Sequence, residues 1–222
     1  MIFSPPITIG ADTEQYTRDV AVIEIDSSKI DSSKFASNTI DLGSKYPPNV
    51  LRRMMYPNPK TRHNFNMPRD RLLKLRGTIK DDEMRRPTTY DENDNPCIMV
   101  LKRGRTTGLT VGLTVGRANN IFSYTRIYFD RTYTGVSKEW AVMPFNKNSG
   151  PFSDKGDSGS VVVDAMGRIG GLLTGGSGIT DRTDVTYVTP ITFVLKTIRS
   201  NKALAKAYPM AYCTSRCRRG FG

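Results

Sequence analysis

The sequence predicts an all-β, antiparallel fold, a barrel or sandwich, closed by a single late helix. Three observations carry that prediction. Short β-branched or alternating apolar runs recur through the second half of the chain, at 97–102, 121–129, 140–143, 160–163, 169–173 and 185–188. Glycine, proline, Asn and Asp separate those runs. Only Ile191 to Ile198 reads as a helix, with Pro190 placed to start it. Many short strands with one helix belong to antiparallel architectures.

Taken in order, the first half is less regular. Val20 to Ile25 is an apolar, β-branched run and reads as a strand. Ser27 to Pro48 is polar and turn-rich, and contains the near-repeat of Asp26-Ser-Ser-Lys at Asp31. Met54 to Arg69 holds three prolines among polar residues and reads as an exposed loop. Arg71 to Gly77 is a plausible strand, and Asp81 to Arg86 suits one helical turn before Pro87. From Lys102 to Asn120 the chain is punctuated by glycine, and Gly108-Leu-Thr-Val is followed at once by Gly112-Leu-Thr-Val. An insertion of four preserves the side-chain period of two, so a lengthened hairpin can absorb it, at some expected loosening of register. The basic stretch 200–222 has no strand pattern and is expected to be a weakly ordered tail. This divides the chain at 1–85, 86–199 and 200–222, with the acid-rich link Asp81 to Asn95 at the first boundary.

Composition narrows the function classes. At 222 residues, 37% hydrophobic and 24% charged, the chain can bury a core. No run approaches the ~20 apolar residues of a membrane span. The N-terminus lacks the basic and apolar regions of a signal peptide, so an intracellular, cytoplasmic setting is expected. Three cysteines cannot pair completely, which also fits a reducing compartment. Cys213 and Cys217 could hold half of a zinc site, but no further Cys or His cluster completes it, so no metal or cofactor is expected. The net charge of +12 favours acidic partners, yet its basic clusters come without a nucleic-acid-binding motif. Nucleic acid is not an expected partner, and oligomeric state is not readable.

The strongest chemical signal is Gly156-Asp157-Ser158-Gly159-Ser160, followed by Val161 to Val163. Acyl transfer by serine needs an exposed hydroxyl on a tight turn and backbone N–H groups aimed at the oxygen that becomes negative. Glycines allow that turn, and the following strand anchors it. An ordinary glycine–serine hairpin turn has the same string. The nearby run Ile169 to Gly176, a strand ending in glycines, favours the chemical reading, because an extended substrate pairs its backbone with such an edge.

Four segments, in this order, resemble the trypsin-like (chymotrypsin-fold) serine peptidases. Thr17 to Ile23 looks like the strand that bears the triad aspartate. Lys102 to Val111 looks like the opening of the second barrel in the glutamyl-endopeptidase-like branch. Gly156 to Ser160 is the nucleophile turn, and Gly170 to Gly176 with Val185 to Ile198 looks like the specificity strands and closing helix. More narrowly, Asp19 to Ile198 is similar to trypsin-like domains of uncharacterised fungal proteins. The resemblance implies an antiparallel double β-barrel with an incomplete first barrel and a C-terminal helix. It implies Ser158 as nucleophile and Asp19 as its orienting acid, with the N–H groups of Gly156 and Ser158 as the oxyanion hole. The substrate pocket would use Phe152, Ser153, Thr174, Gly175 and Gly176. Phe152 occupies the place where basic-specific members carry Asp, so a Lys or Arg preference is not implied. The implied partner is a polypeptide substrate or peptide ligand.

One part of the pattern is missing. The family places its histidine before the aspartate, and no histidine precedes Asp19; the only one is His63, in the proline-rich loop. The chain is therefore expected to be N-terminally truncated or a pseudopeptidase, inactive by itself, with a peptide-binding module as the alternative.

Overall fold

The strands predicted for the second half close on themselves. The structure is a computed structural model and describes residues 2–31, 35, 38–61, 65–114, 121–128, 131–177 and 185–209. Its first half holds β1 (Thr8–Ala11), β2 (Tyr16–Arg18), β3 (Thr39–Asp41), α1 (Pro48–Met55), β4 (Leu72–Lys74) and α2 (Asp81–Arg85). Its second half holds β5 (Met99–Gly104), β6 (Gly108–Thr114), β7 (Ile121–Tyr128), β8 (Arg131–Lys138), β9 (Trp140–Pro144), β10 (Val161–Asp164), β11 (Ile169–Gly176), β12 (Thr186–Pro190) and α3 (Ile191–Arg199). Six strands form a closed barrel in the order β10-β11-β12-β9-β6-β5, with every neighbouring pair antiparallel. The pairs β1-β2, β3-β4 and β7-β8 remain two-stranded. The protein is thus mostly β, with one complete barrel, an unclosed first half and a helix following the last barrel strand.

The barrel strands bury both faces, and their period of two sorts side chains into two cores. Val100, Trp140, Val142, Val162 and Val188 join Phe152 in one cluster, contributed by four barrel strands. Met99, Leu101, Val111 and Val163 point the other way, into a larger cluster with Leu42, Leu51, Met55, Leu73 and Val194. That larger cluster spans the Asp81 to Asn95 link, so the two halves share apolar burial. The described part of the tandem repeat, Gly108 to Thr114, lies within β6, and its register against β5 runs unbroken from Gly104↔Gly108 to Met99↔Leu113.

Several expectations for the first half are corrected. Residues 20–25 do not form a regular strand: Val22 makes one isolated bridge with Phe3, and Ile23 and Ile25 are more than 60% exposed. Among the described residues no further strand pairs with them, and an unpaired ladder does not hold a strand. The segment 48–55, whose two ends fall in the turn-rich stretch and the expected loop and whose middle carries no expectation, is a helix. Pro48 opens α1, and Leu51, Met54 and Met55 at i, i+3 and i+4 bury one face. Nor is 54–69 an exposed loop throughout, since Phe65 and Asn58 are buried and Asn58 Nδ2 donates to Asp91 O and Asp94 Oδ1. Residues 202–204 form a 3-10 turn, and Arg199 donates from Nε to Ala207 O. The rest of the basic tail from 210, with Cys213 and Cys217, lies outside the described residues, as does His63. Among the described residues no helix is long and apolar enough to cross a membrane.

Gly170 on β11 shows how closely the barrel is packed. A Cβ there would stand 2.3 Å from Trp140 Cζ3, and Trp140 is itself buried. Gly170→Ala is expected to lower stability by about 1–3 kcal/mol through overpacking, read as a reduced urea midpoint at unchanged slope.

Candidate functional site

The loop between β9 and β10 turns back through two glycines that no other residue replaces without strain. Gly156 has φ +96° and Gly159 has φ +83°. Asp157 N donates to Asp154 O, Ser160 N to Asp157 O, and Gly159 N to Leu173 O, which ties the turn to β11. The amides of Gly156 and Ser158 find no acceptor among the described residues. Ser158 itself is exposed.

A buried ion pair holds this turn. Lys102, in the middle of β5, directs its Nζ 2.7 Å from Asp157 Oδ2, and both side chains are fully buried. Thr107 Oγ1 donates to the same oxygen at 2.7 Å, and Thr106 N donates to Oδ1 at 2.8 Å. Lys102 Nζ also bonds Thr107 Oγ1. Burial alone raises a carboxyl pKa, but here the Lys102 ammonium and the donors from Thr107 and Thr106 prevail and hold Asp157 far below the usual carboxylate range. Glycine at 104 is a requirement of this pair, because a Cβ there would lie 2.3 Å from Asp157 Oδ1.

Beside the turn lies a cavity of about 270 Å³ that Ser158 and Asp19 both line, together with Thr174, Thr189, Val20 and Phe193. Asp19 reaches it because the end of β2 is docked on the barrel. Tyr16 packs against Phe193 with the rings tilted by 58° at a centroid distance of 5.4 Å, and Lys138 N donates to Gln15 O. Arg18 also borders the cavity, but its guanidinium is committed elsewhere, donating to Thr8 Oγ1 and Pro6 O.

Glu139, 1% exposed, underlies the cavity. Its Oε1 accepts from Thr17 N at 2.9 Å and its Oε2 from Thr189 Oγ1 at 3.1 Å. Thr189 Oγ1 lies 3.0 Å from Thr174 Oγ1. Ser137 Oγ, buried and without a well-formed hydrogen bond, faces the same carboxyl. Burial is the larger influence and raises the Glu139 pKa, with the hydrogen bonds from Thr17 and Thr189 and the nearby Ser137 hydroxyl pulling it back.

The residues implied for the substrate pocket separate. Thr174 lines the cavity with Ser158. Gly175 and Gly176 continue β11, paired on one side with Tyr187 and Thr186. On the other side the ladder to β10 ends at Leu172 and Leu173, so 174–176 present an unpaired edge among the described residues. Phe152 packs in the barrel core and accepts from Thr110 Oγ1 at its carbonyl. Ser153 Oγ is bonded to Thr186 Oγ1 at 2.6 Å, buried. Neither Phe152 nor Ser153 borders the cavity that holds Ser158.

Sequence reasoning missed Lys102, Thr106, Thr107, Glu139 and Thr189. For two of them a signal existed: a lysine ending the apolar run Ile98 to Leu101, and a lone acid before Trp140. Cys97 offers no second nucleophile, because burial, with Asp91's charge adding, pushes its thiol up to about 12. Among the described residues no group of three or more His, Cys, Asp or Glu could hold a metal ion.

No family model and no curated protein matches this sequence. Solved structures do. A Cellulomonas bogoriensis chymotrypsin is 22% identical, covers 45% of each chain and has a TM-score of 0.31. Thermobifida fusca protease A is 19% identical over 57% of this chain and 52% of its own, with a TM-score of 0.36. A glutamic acid specific serine protease, described as using a histidine triad in substrate binding, is 16% identical over 60% of this chain and 55% of its own, TM-score 0.36. The chain thus matches about half the length of each of these proteases.

The ion pair predicts an acid limb. Asp157 ionises more easily folded than unfolded, so its contribution is present above an unfolded carboxyl pKa of about 3.9 and is lost as pH falls below it. Lys102→Met, which strands a buried carboxylate, is expected to cost about 3–5 kcal/mol near neutral pH. The variant's stability should also fall less steeply on acidification, measured by urea titrations between pH 3 and 7.

Proposed function

We propose that this chain carries the nucleophile half of a serine-peptidase site, in a chymotrypsin-like domain with its second barrel complete and its first incomplete. The observation that carries the reading is that Ser158 and Asp19 line one cavity, beside a turn whose Gly156 and Ser158 amides are left without acceptors. An extended polypeptide would pair its backbone with the open edge of Thr174–Gly176, which brings a carbonyl carbon to Ser158 Oγ. Attack forms the C–O bond while the serine proton passes to a base. The carbonyl oxygen becomes an anion between the two amides, and collapse, with the base handing its proton to the leaving nitrogen, expels the amine and leaves an acyl-serine for water to cleave.

Among the described residues no imidazole base stands beside Ser158. An alcohol is a poor nucleophile until its proton is removed. Asp19 suits the orienting role, holding an imidazole ring and stabilising its cation. Among the described residues no histidine reaches the cavity, so the chain by itself is a slow catalyst or none. Oxyanion stabilisation and binding alone leave only ~10³–10⁴-fold acceleration over water.

The open β11 edge also favours a second reading, a non-catalytic module for extended peptides, with the fold kept and the chemistry lost. Its predicted partner is a polypeptide, and the basic surface, +12 in net charge, would select acidic ones.

A fluorophosphonate probe separates the two. The chain alone is expected to label at Ser158 negligibly, and added imidazole should accelerate labelling by at least tenfold. Ser158→Ala should abolish it, and Asp19→Asn should remove most of the imidazole effect. Rapid stoichiometric labelling without imidazole contradicts the missing base. No labelling under any condition, with extended peptides still shifting the amide resonances of Thr174 to Gly176, favours the binding module.

A further inference from the structure

The hydroxyls under the cavity are not free to point either way, because Glu139 has already spent one of their protons. Burial raises the Glu139 pKa, and at a pH above it the carboxylate is ionised and only accepts. Thr189 therefore gives its single hydroxyl proton to Glu139 Oε2 at 3.1 Å. The contact between Thr189 Oγ1 and Thr174 Oγ1 at 3.0 Å then requires Thr174 to be the donor. With its proton turned inward, Thr174 has only lone pairs to show the cavity that it lines with Ser158 and Asp19. Thr174 and Asp19 are then acceptors on that wall, Asp19 through its carboxyl group. The other oxygen of Glu139 accepts the Thr17 amide, two residues before Asp19, so one buried side chain sets both the place of the aspartate segment and the polarity of the threonine.

We propose that Glu139 is a positioning residue that makes the cavity wall beside Ser158 hydrogen-bond-accepting, so that the cavity selects a small N–H donor such as an imidazole ring. The mechanistic meaning of this rests on the function proposed above; the binding preference does not. Glu139→Gln keeps a carbonyl oxygen for the Thr17 amide but places an NH₂ donor against Thr189. Thr189 must then donate to Thr174, and Thr174 to the cavity. The wall becomes donating without the aspartate segment losing its anchor. Thr174→Val removes the last oxygen of the relay and leaves Glu139 untouched.

The test is a binding titration of the full 222-residue chain, followed at the amide resonances of Ser158, Gly159 and Leu173, with imidazole as donor probe and dimethyl sulfoxide as pure acceptor. The wild type should bind imidazole, and both variants should bind it about tenfold more weakly, the worth of one charge-linked hydrogen bond. Glu139→Gln alone should gain affinity for dimethyl sulfoxide, a change that mere loosening of the fold would not produce. Unaltered imidazole affinity in folded Glu139→Gln and Thr174→Val, or no imidazole binding by the wild type, overturns the proposal. If Glu139→Gln does not fold, Thr174→Val decides. Imidazole binding that obeys these rules while Ser158 never labels counts against the peptidase reading alone, and rescued labelling with unchanged variant affinities counts against the relay alone.

Discussion

The Lys102–Asp157 pair is the constraint on which the rest of the site depends. Two opposite charges with no exposed side-chain surface are tolerable only at close range and with their remaining hydrogen-bonding capacity filled. Thr106, Thr107 and Asp154 fill it for the carboxylate, which freezes the 104–107 turn against the 154–157 turn. Once Asp157 is held inward, its neighbour on the chain must face out. The exposure of Ser158 and the vacant amides of Gly156 and Ser158 are consequences of that inward pull, sharpened by the left-handed φ of the flanking glycines. The cation that organises the turn comes from within β5, so the arrangement needs no charge from a chain terminus.

The cavity beside that turn is composite. One wall belongs to the barrel, and the other to residues 17–20, which lie outside any closed sheet. That second wall is held by a few discrete contacts: Glu139 to the Thr17 amide, Tyr16 against Phe193, and Lys196 with Glu14. Exposed surface ion pairs such as the last contribute little. Position is therefore governed mainly by the buried carboxyl and the packed Tyr16 and Phe193 rings. A site shared between the barrel and a segment outside any closed sheet depends on the contacts that join the two, Glu139 to the Thr17 amide among them.

The chemistry and the packing also compete for the same strands. Phe152 and Ser153, which the resemblance would place in a substrate pocket, are taken up by the barrel core and by the bond to Thr186. What is left accessible near the serine is the Thr174–Gly176 edge and the cavity.

The sequence by itself determined the local features. The barrel strands follow from β-branched runs of period two, α3 from its proline start, and the tight turn around Ser158 from Gly156 and Gly159, because each signal lies within a few residues of chain. The first half was less legible. In 48–55 the spacing of Leu51, Met54 and Met55 was hidden among arginines and prolines, while the apolar run at 20–25 looked like a strand but has no ladder to join. Only tertiary structure decided that Lys102 meets Asp157, that Asp19 shares a cavity with Ser158, and that Glu139 joins Thr17 to Thr189. Those pairs are 55 or more positions apart in every case but the last contact, and no periodicity encodes them. Their physical cause is burial: a charge removed from water must find its partner wherever the fold brings one, and nothing in its own neighbourhood says where that is.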